Sequence, residues 1–372
     1  MAGRLAEIER GKGLAILLVV FGHLVARRDP ADVTWYAPLR VLVYLFHMPF
    51  FFYLSGYAAW CGGLLRVTPG TWAGFVRLRA RRLLVPGAAL GLGVLAAKLA
   101  LGAAIAPDNP PAGLWAGLSG LAWDTGHSPE TSVWYLAVLF ALSAGVPALV
   151  WAVGIRGAAA VAAAIYVLPL PPLAYLDRLG TYALYFMCGL LAARAGEAWL
   201  AWIDRWRARL GLAFAALLLA AWEGWLGDLG VDGFPHKWFL LGFGLLSMPV
   251  LHGAVRAAPL ARSAALARLG ADCFAIYLFN TVAIGAAKAA LGTVTTWDGP
   301  RFLPFACALM AAGVLGPMAL KRMLQNRDIW ASAMPFRALS GIANFVVSSP
   351  SRVSSRPHWR VARAKRRSSR SA

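Results

Sequence analysis

The residues in this chain whose types and spacing could carry chemistry are two histidines and a group of basic side chains. His23 follows Lys12 by eleven residues in "KGLAILLVVFGHL", and every residue between them is apolar. On a helix, eleven residues advance three turns plus roughly 20°, and about 16 Å along the axis, so the two side chains share a face. Lys12 can snorkel to a headgroup region, whereas His23 must face protein or a water-filled cavity. His47 repeats the oddity in "LFHMPFFFYLSGY", where Pro49 loosens the local backbone hydrogen bonding. One intramembrane histidine can be a packing residue with a satisfied N–H. Two at matched depth on consecutive helices read as a site, because imidazole exchanges protons near neutral pH.

The third feature is "RLRARRLLVP", Arg77 to Pro86. Arg79 and Arg82, spaced i and i+3, face the same way on a helix. Two readings stay open for them. They suit positive-inside anchoring, and their guanidinium forks equally suit phosphate.

These residues need elements to hold them, and the composition says which. The chain has 372 residues, 60% hydrophobic and 14% charged, with mean hydropathy +0.63, against roughly 45–50% apolar in a soluble domain. Apolar runs long enough to cross a bilayer recur along the chain, which excludes an ordinary soluble protein. The expected fold is all-α and polytopic, with about ten transmembrane helices near 12–28, 38–60, 83–104, 131–153, 157–173, 179–195, 210–226, 237–255, 270–292 and 302–320. Pro169, Pro171 and Pro172 make the fifth short or bent. With the N-terminus cytoplasmic, 19 Lys and Arg up to Arg327 fall on the cytoplasmic side and 8 on the other, so both termini are expected in the cytoplasm.

Two regions follow: a transmembrane domain over 1–327 and a basic cytoplasmic tail over 328–372, with an interfacial helix followed by disorder. An eleventh span at 329–348 is rejected because Pro335 and Arg337 interrupt it. The tail contributes much of the +20 net charge. After a membrane domain it is expected to lie on anionic lipid headgroups and not on nucleic acid. The N-terminus resembles a secretory signal but lacks a small-residue cleavage site, so the first span is expected to stay. The cysteines, Cys61, Cys188, Cys273 and Cys307, stand apart, so neither a disulfide nor a metal site is expected.

"IERGKGLAILLVVFGHL", "LFHMPFFFYLSGY" and "RARRLLVP" resemble the opening motifs of the acyltransferase 3 family of integral membrane acyltransferases, which includes O-antigen and exopolysaccharide O-acetylases and fucose 4-O-acetylase-like enzymes. Lys12 and His23 match its Arg-or-Lys, ten residues, His signature, and Arg79 and Arg82 its Arg-x-x-Arg signature. "TSVWYLAVLFALS", "ALYFMCGLLAAR" and "LGADCFAIYLFNT" are similar to later blocks, so the resemblance covers roughly residues 8–325. One departure stands out. Many members carry a histidine late in the last block, where this chain has Asn280, which can hydrogen-bond a hydroxyl but cannot take its proton near neutral pH.

The resemblance implies transfer of an acyl group, by default acetyl, from cytoplasmic acyl-CoA to a carbohydrate or glycoconjugate hydroxyl in a bacterial inner membrane. No permanently bound cofactor is implied; acyl-CoA, most simply acetyl-CoA, is the donor substrate. Lys12, Arg79 and Arg82 would hold its phosphates. His23 would be the general base, with His47 orienting it or sharing the proton. Acceptor contacts are expected at Glu130, Trp134 and Asn280, with Asp124 and His127 nearby, although an interfacial tryptophan also serves as a membrane anchor. The rival reading is a transporter or flippase for an envelope glycan precursor. It would suit broken helices and intramembrane histidines, but the first three spans hold no acidic residue for ion coupling.

Overall fold

The computed structural model describes residues 2–25, 29–102, 110–130, 132–224 and 234–325. The basic tail and the rejected eleventh span lie outside the described residues. Eleven α-helices occur among them and no strand: α1 (Ala2–Gly22), α2 (Tyr36–Tyr44), α3 (His47–Cys61), α4 (Pro69–Leu101), α5 (Leu114–Ala122), α6 (Val133–Val167), α7 (Leu176–Ala195), α8 (Glu197–Trp222), α9 (Phe234–Arg256), α10 (Ala264–Gly292) and α11 (Phe302–Gln325). Six helical segments are long and apolar enough to cross a membrane on length and composition alone. The chain is therefore an all-α, multi-pass membrane protein.

Several boundaries differ from the apolar pattern, among them the starts of α4 at Pro69 and of α8 at Glu197, which were expected at 83 and 210. The first helix begins at Ala2, ten residues before the expected span, and ends at Gly22. Its charged first turns are held by partners. Glu7 pairs with Arg256 of α9 at 2.6 Å, and Arg10 donates to the Val255 carbonyl. His23 consequently sits in the turn that ends the helix, not at mid-span. The second crossing is broken into α2 and α3 at Leu45–Phe46, where Pro49 has no N–H to continue the ladder. The break expected between 153 and 157 is present inside α6, which turns at Gly154 with φ 71°, ψ 169°, a conformation glycine adopts without a Cβ penalty. Ala174 N–H then bonds the Trp123 carbonyl at 2.8 Å, and Leu173 bridges Asp124. The segment after Gly154 thus returns to the end where α6 began, and 133–153 and 155–167 act as two crossings.

Helix α3 packs against α1, α2, α6, α7 and α9 and supplies much of the core through Phe50, Phe52, Tyr53 and Tyr57. In lipid, helices associate by close packing, with no water to expel, so small residues set the approach. At the α3–α7 crossing a Cβ on Gly56 would lie 1.9 Å from the Phe186 carbonyl. At the α1–α10 crossing a Cβ on Gly270 would lie 1.8 Å from the Glu9 carbonyl, and one on Gly13 2.1 Å from the Leu266 carbonyl. These two backbone contacts fix α10 along α1 and so place Asn280 beside His23.

Candidate active site

His23 closes α1, its N–H bonding the Val19 and Val20 carbonyls, and its ring is half-buried. Nδ1 lies 2.8 Å from Asn280 Oδ1. Asn280 is fully buried, and its Nδ2 donates to the Ile276 carbonyl at 2.9 Å and the Tyr277 carbonyl at 2.8 Å. Every polar atom of the Asn280 side chain therefore has a partner inside the protein. The amide that the sequence suggested as a substrate contact is engaged with a histidine 257 residues away in the chain.

His47 opens α3. Its Nδ1 donates to the Val43 carbonyl at 2.8 Å across the α2–α3 break, and its ring leans on Tyr44 at 5.2 Å. The Tyr44 hydroxyl donates to the Gly22 carbonyl at 2.7 Å, beside His23. The two imidazoles lie within electrostatic range of one another. Glu130 is joined to the same turn of α10 through Ser132, whose N–H it accepts and whose carbonyl takes the Tyr277 hydroxyl.

Glu130 reaches this position from the 123–132 loop, which is fastened at several points. Lys98 of α4 donates to the Pro129 carbonyl at 2.6 Å. Ser128 Oγ donates to the Glu130 carbonyl, and Glu130 Oε1 accepts the Ser132 N–H at 2.9 Å. The Tyr277 hydroxyl donates to the Ser132 carbonyl from the turn of α10 that precedes Asn280. His23, His47, Asn280 and Glu130, from four separate parts of the chain, thus form one group.

The remaining candidates lie elsewhere. Trp134 stacks on Tyr182 at 5.1 Å and carries the Arg178 guanidinium 5.5 Å from its centroid. His127 and Asp124 pair at 3.0 Å on the surface. Lys12 is held 3.4 Å from Glu9 on its own helix, close to a second pair, Lys321 with Asp272 at 2.5 Å. Arg79 lies over the Phe75 ring at 5.3 Å, next to Arg82. Among the described residues neither arginine forms an ion pair.

Sequence reasoning missed a further buried histidine. His252 Nδ1 lies 2.6 Å from the Tyr53 hydroxyl, which also accepts the Trp199 indole N–H at 2.8 Å. His252 Nε2 faces Glu7 at 3.8 Å, while Arg256, one turn on, joins Glu7 to Asp204 of α8. This network ties α1, α3, α8 and α9 together at the end opposite His23. The rule that singles out His23 and His47, an imidazole inside an apolar span, applies to His252 in "MPVLHGAVR" as well.

Comparison with known proteins adds two findings. The acyltransferase domain family known as acyltransferase 3 matches residues 5–322. The nodulation protein NolL of Sinorhizobium fredii (strain NBRC 101917 / NGR234) is 42% identical over 78 residues, 20% of this chain and 20% of that protein, so the match spans a fifth of that relative's length. No solved structure matches.

Proposed function

The chain belongs to the acyltransferase 3 family, and from that premise we propose that it moves an acetyl group from acetyl-CoA, on the basic cytoplasmic side, to a hydroxyl of a carbohydrate or glycoconjugate presented at the opposite side of a bacterial inner membrane. The observation that carries this reading is the convergence of His23, His47, Asn280 and Glu130 at one end of the bundle, while Arg79 and Arg82, which form no ion pair among the described residues, stand nearer the other end of α4.

In this mechanism His23 Nε2 takes the proton of the acceptor hydroxyl as its oxygen attacks the thioester carbonyl. The tetrahedral intermediate collapses with cleavage of the C–S bond. The imidazolium returns its proton to the departing thiolate, giving CoA and the O-acetyl ester. Glu130 favours the imidazolium that forms in passing, as a nearby carboxylate does. Arg79 and Arg82 bind the CoA phosphates by charge-assisted hydrogen bonds. Lys12, held by Glu9, is a weaker candidate for that task than the sequence suggested. Trp134, stacked on Tyr182 and covered by Arg178, is a weaker acceptor contact than the sequence suggested, and the basic tail rests on anionic headgroups.

The test is acetyl-CoA binding to the full chain in detergent. Wild type and His23→Ala should bind alike, because the base does not hold the phosphates. Arg79→Ala/Arg82→Ala should bind at least tenfold more weakly, since a hydrogen bond to a charged group contributes about 1.5–3 kcal/mol. A folded wild-type protein that binds no acyl-CoA would overturn the reading.

A further inference from the structure

We infer that Asn280 is a positioning residue for His23: it holds the imidazole in the form protonated at Nδ1, so that Nε2 carries the lone pair that accepts the substrate proton. This rests on the acyl-transfer reading above for its use, but its evidence is independent of that reading.

Donors and acceptors fix the orientation of the pair. The Ile276 and Tyr277 carbonyls can only accept hydrogen bonds, so the Asn280 atom that meets both must be the NH2. The amide oxygen is then the atom 2.8 Å from His23 Nδ1. An amide oxygen can only accept, so Nδ1 must bear the hydrogen. In a neutral imidazole the other nitrogen is then unprotonated. The orientation of Asn280 is fixed by α10 itself, through the two carbonyls one turn back, so the helix backbone dictates the tautomer of a residue on α1. A free imidazole favours the opposite form, with the hydrogen on Nε2, which would leave no base facing the acceptor. The same device recurs at His47, where the Val43 carbonyl does for Nδ1 what Asn280 does for His23.

The position bears on the departure noted in the sequence. Asparagine here cannot exchange a proton near neutral pH. What it supplies is an acceptor whose direction is locked. A triad carboxylate that orients a histidine acts in the same sense, and its replacement by an amide of the wrong orientation gives the wrong tautomer.

The experiment is 15N NMR of the full chain, labelled at its six histidines and held in lipid nanodiscs, with the His23 signals identified by their loss in His23→Gln. The expected result is a protonated Nδ1 and an unprotonated Nε2. Asn280→Leu, which keeps the shape but offers no acceptor, should shift the His23 signals toward the Nε2-protonated form. Asn280→Asp, which restores an acceptor, should shift them back. A purely structural role for Asn280 would leave the tautomer unmoved. Wild-type protein that binds acetyl-CoA but carries the His23 hydrogen on Nε2 overturns this inference and leaves the acyl-transfer reading standing. Protein with the hydrogen on Nδ1 that binds no acetyl-CoA does the reverse.

Discussion

His47 sits where two demands on one side chain can be separated. Its Nδ1–H fills the Val43 carbonyl at the break between α2 and α3, and its ring lies against Tyr44, whose hydroxyl bonds the Gly22 carbonyl beside His23. Replacing it with leucine removes the hydrogen bond from a buried position and should cost about 0.5–1.5 kcal/mol of stability, read as a lower unfolding midpoint in detergent. Acetyl-CoA binding should not change if, as proposed, the arginines on α4 hold the donor. An unaltered midpoint would show that Phe46 N–H, which also bonds Val43, satisfies that carbonyl alone. His23, His47 and Glu130 were legible in the sequence because an ionisable group is costly in lipid, so each asks for a partner. Who the partner is was not legible. Asn280 lies 257 residues from His23, and no local pattern reveals that its amide is already occupied. For Lys12 the partner was legible: Glu9, three residues before it, stands in plain view as an i,i+3 partner.

At the scale of helices, the contact between α1 and α10 is what turns separate residues into a site. Gly270 and Gly13 let the two backbones touch, and Asn280 follows Gly270 on the same helix. Gly270→Leu should push the helices apart, costing about 1–3 kcal/mol through overpacking. It should also draw Asn280 from His23, so that the His23 ring signals in the nanodisc NMR spectrum shift toward those of Asn280→Leu. Lost stability with an unmoved His23 tautomer would mean that the helices adjust locally and the crossing does not govern the site. The apolar runs revealed nearly every crossing, including the separate segments on either side of Gly154, because lipid demands long apolar stretches. They misplaced the start of α1, whose charged first turns are held by a partner far along the chain: Arg256 of α9 pairs with Glu7 and is itself braced by Asp204 of α8. They also read α2 and α3 as one helix, since Pro49 removes a hydrogen bond without interrupting the hydrophobic pattern.

For the whole molecule, the separation of the two charged regions constrains how a reaction could run. Lys98 is tied to Pro129, which places residue 98 of α4 near the level of Glu130. Arg82 lies sixteen residues earlier on the same helix, roughly 24 Å away along its axis, and Arg79 about 28 Å, against a hydrocarbon thickness of ~30 Å. A donor with its phosphates at the arginines has to extend most of the way across the bilayer to bring its thioester to His23. On the proposed reading, donor and acceptor therefore arrive from opposite faces. Acetyl-CoA does not cross membranes, which makes this testable in sealed proteoliposomes whose protein orientation is read from protease access to a tag added at the N-terminus. External acetyl-CoA should bind to the population with its basic face outward and not to the inverted population. Equal binding to both would mean that the phosphates reach the His23 end directly, and that Arg79 and Arg82 serve only to orient the helix in the membrane.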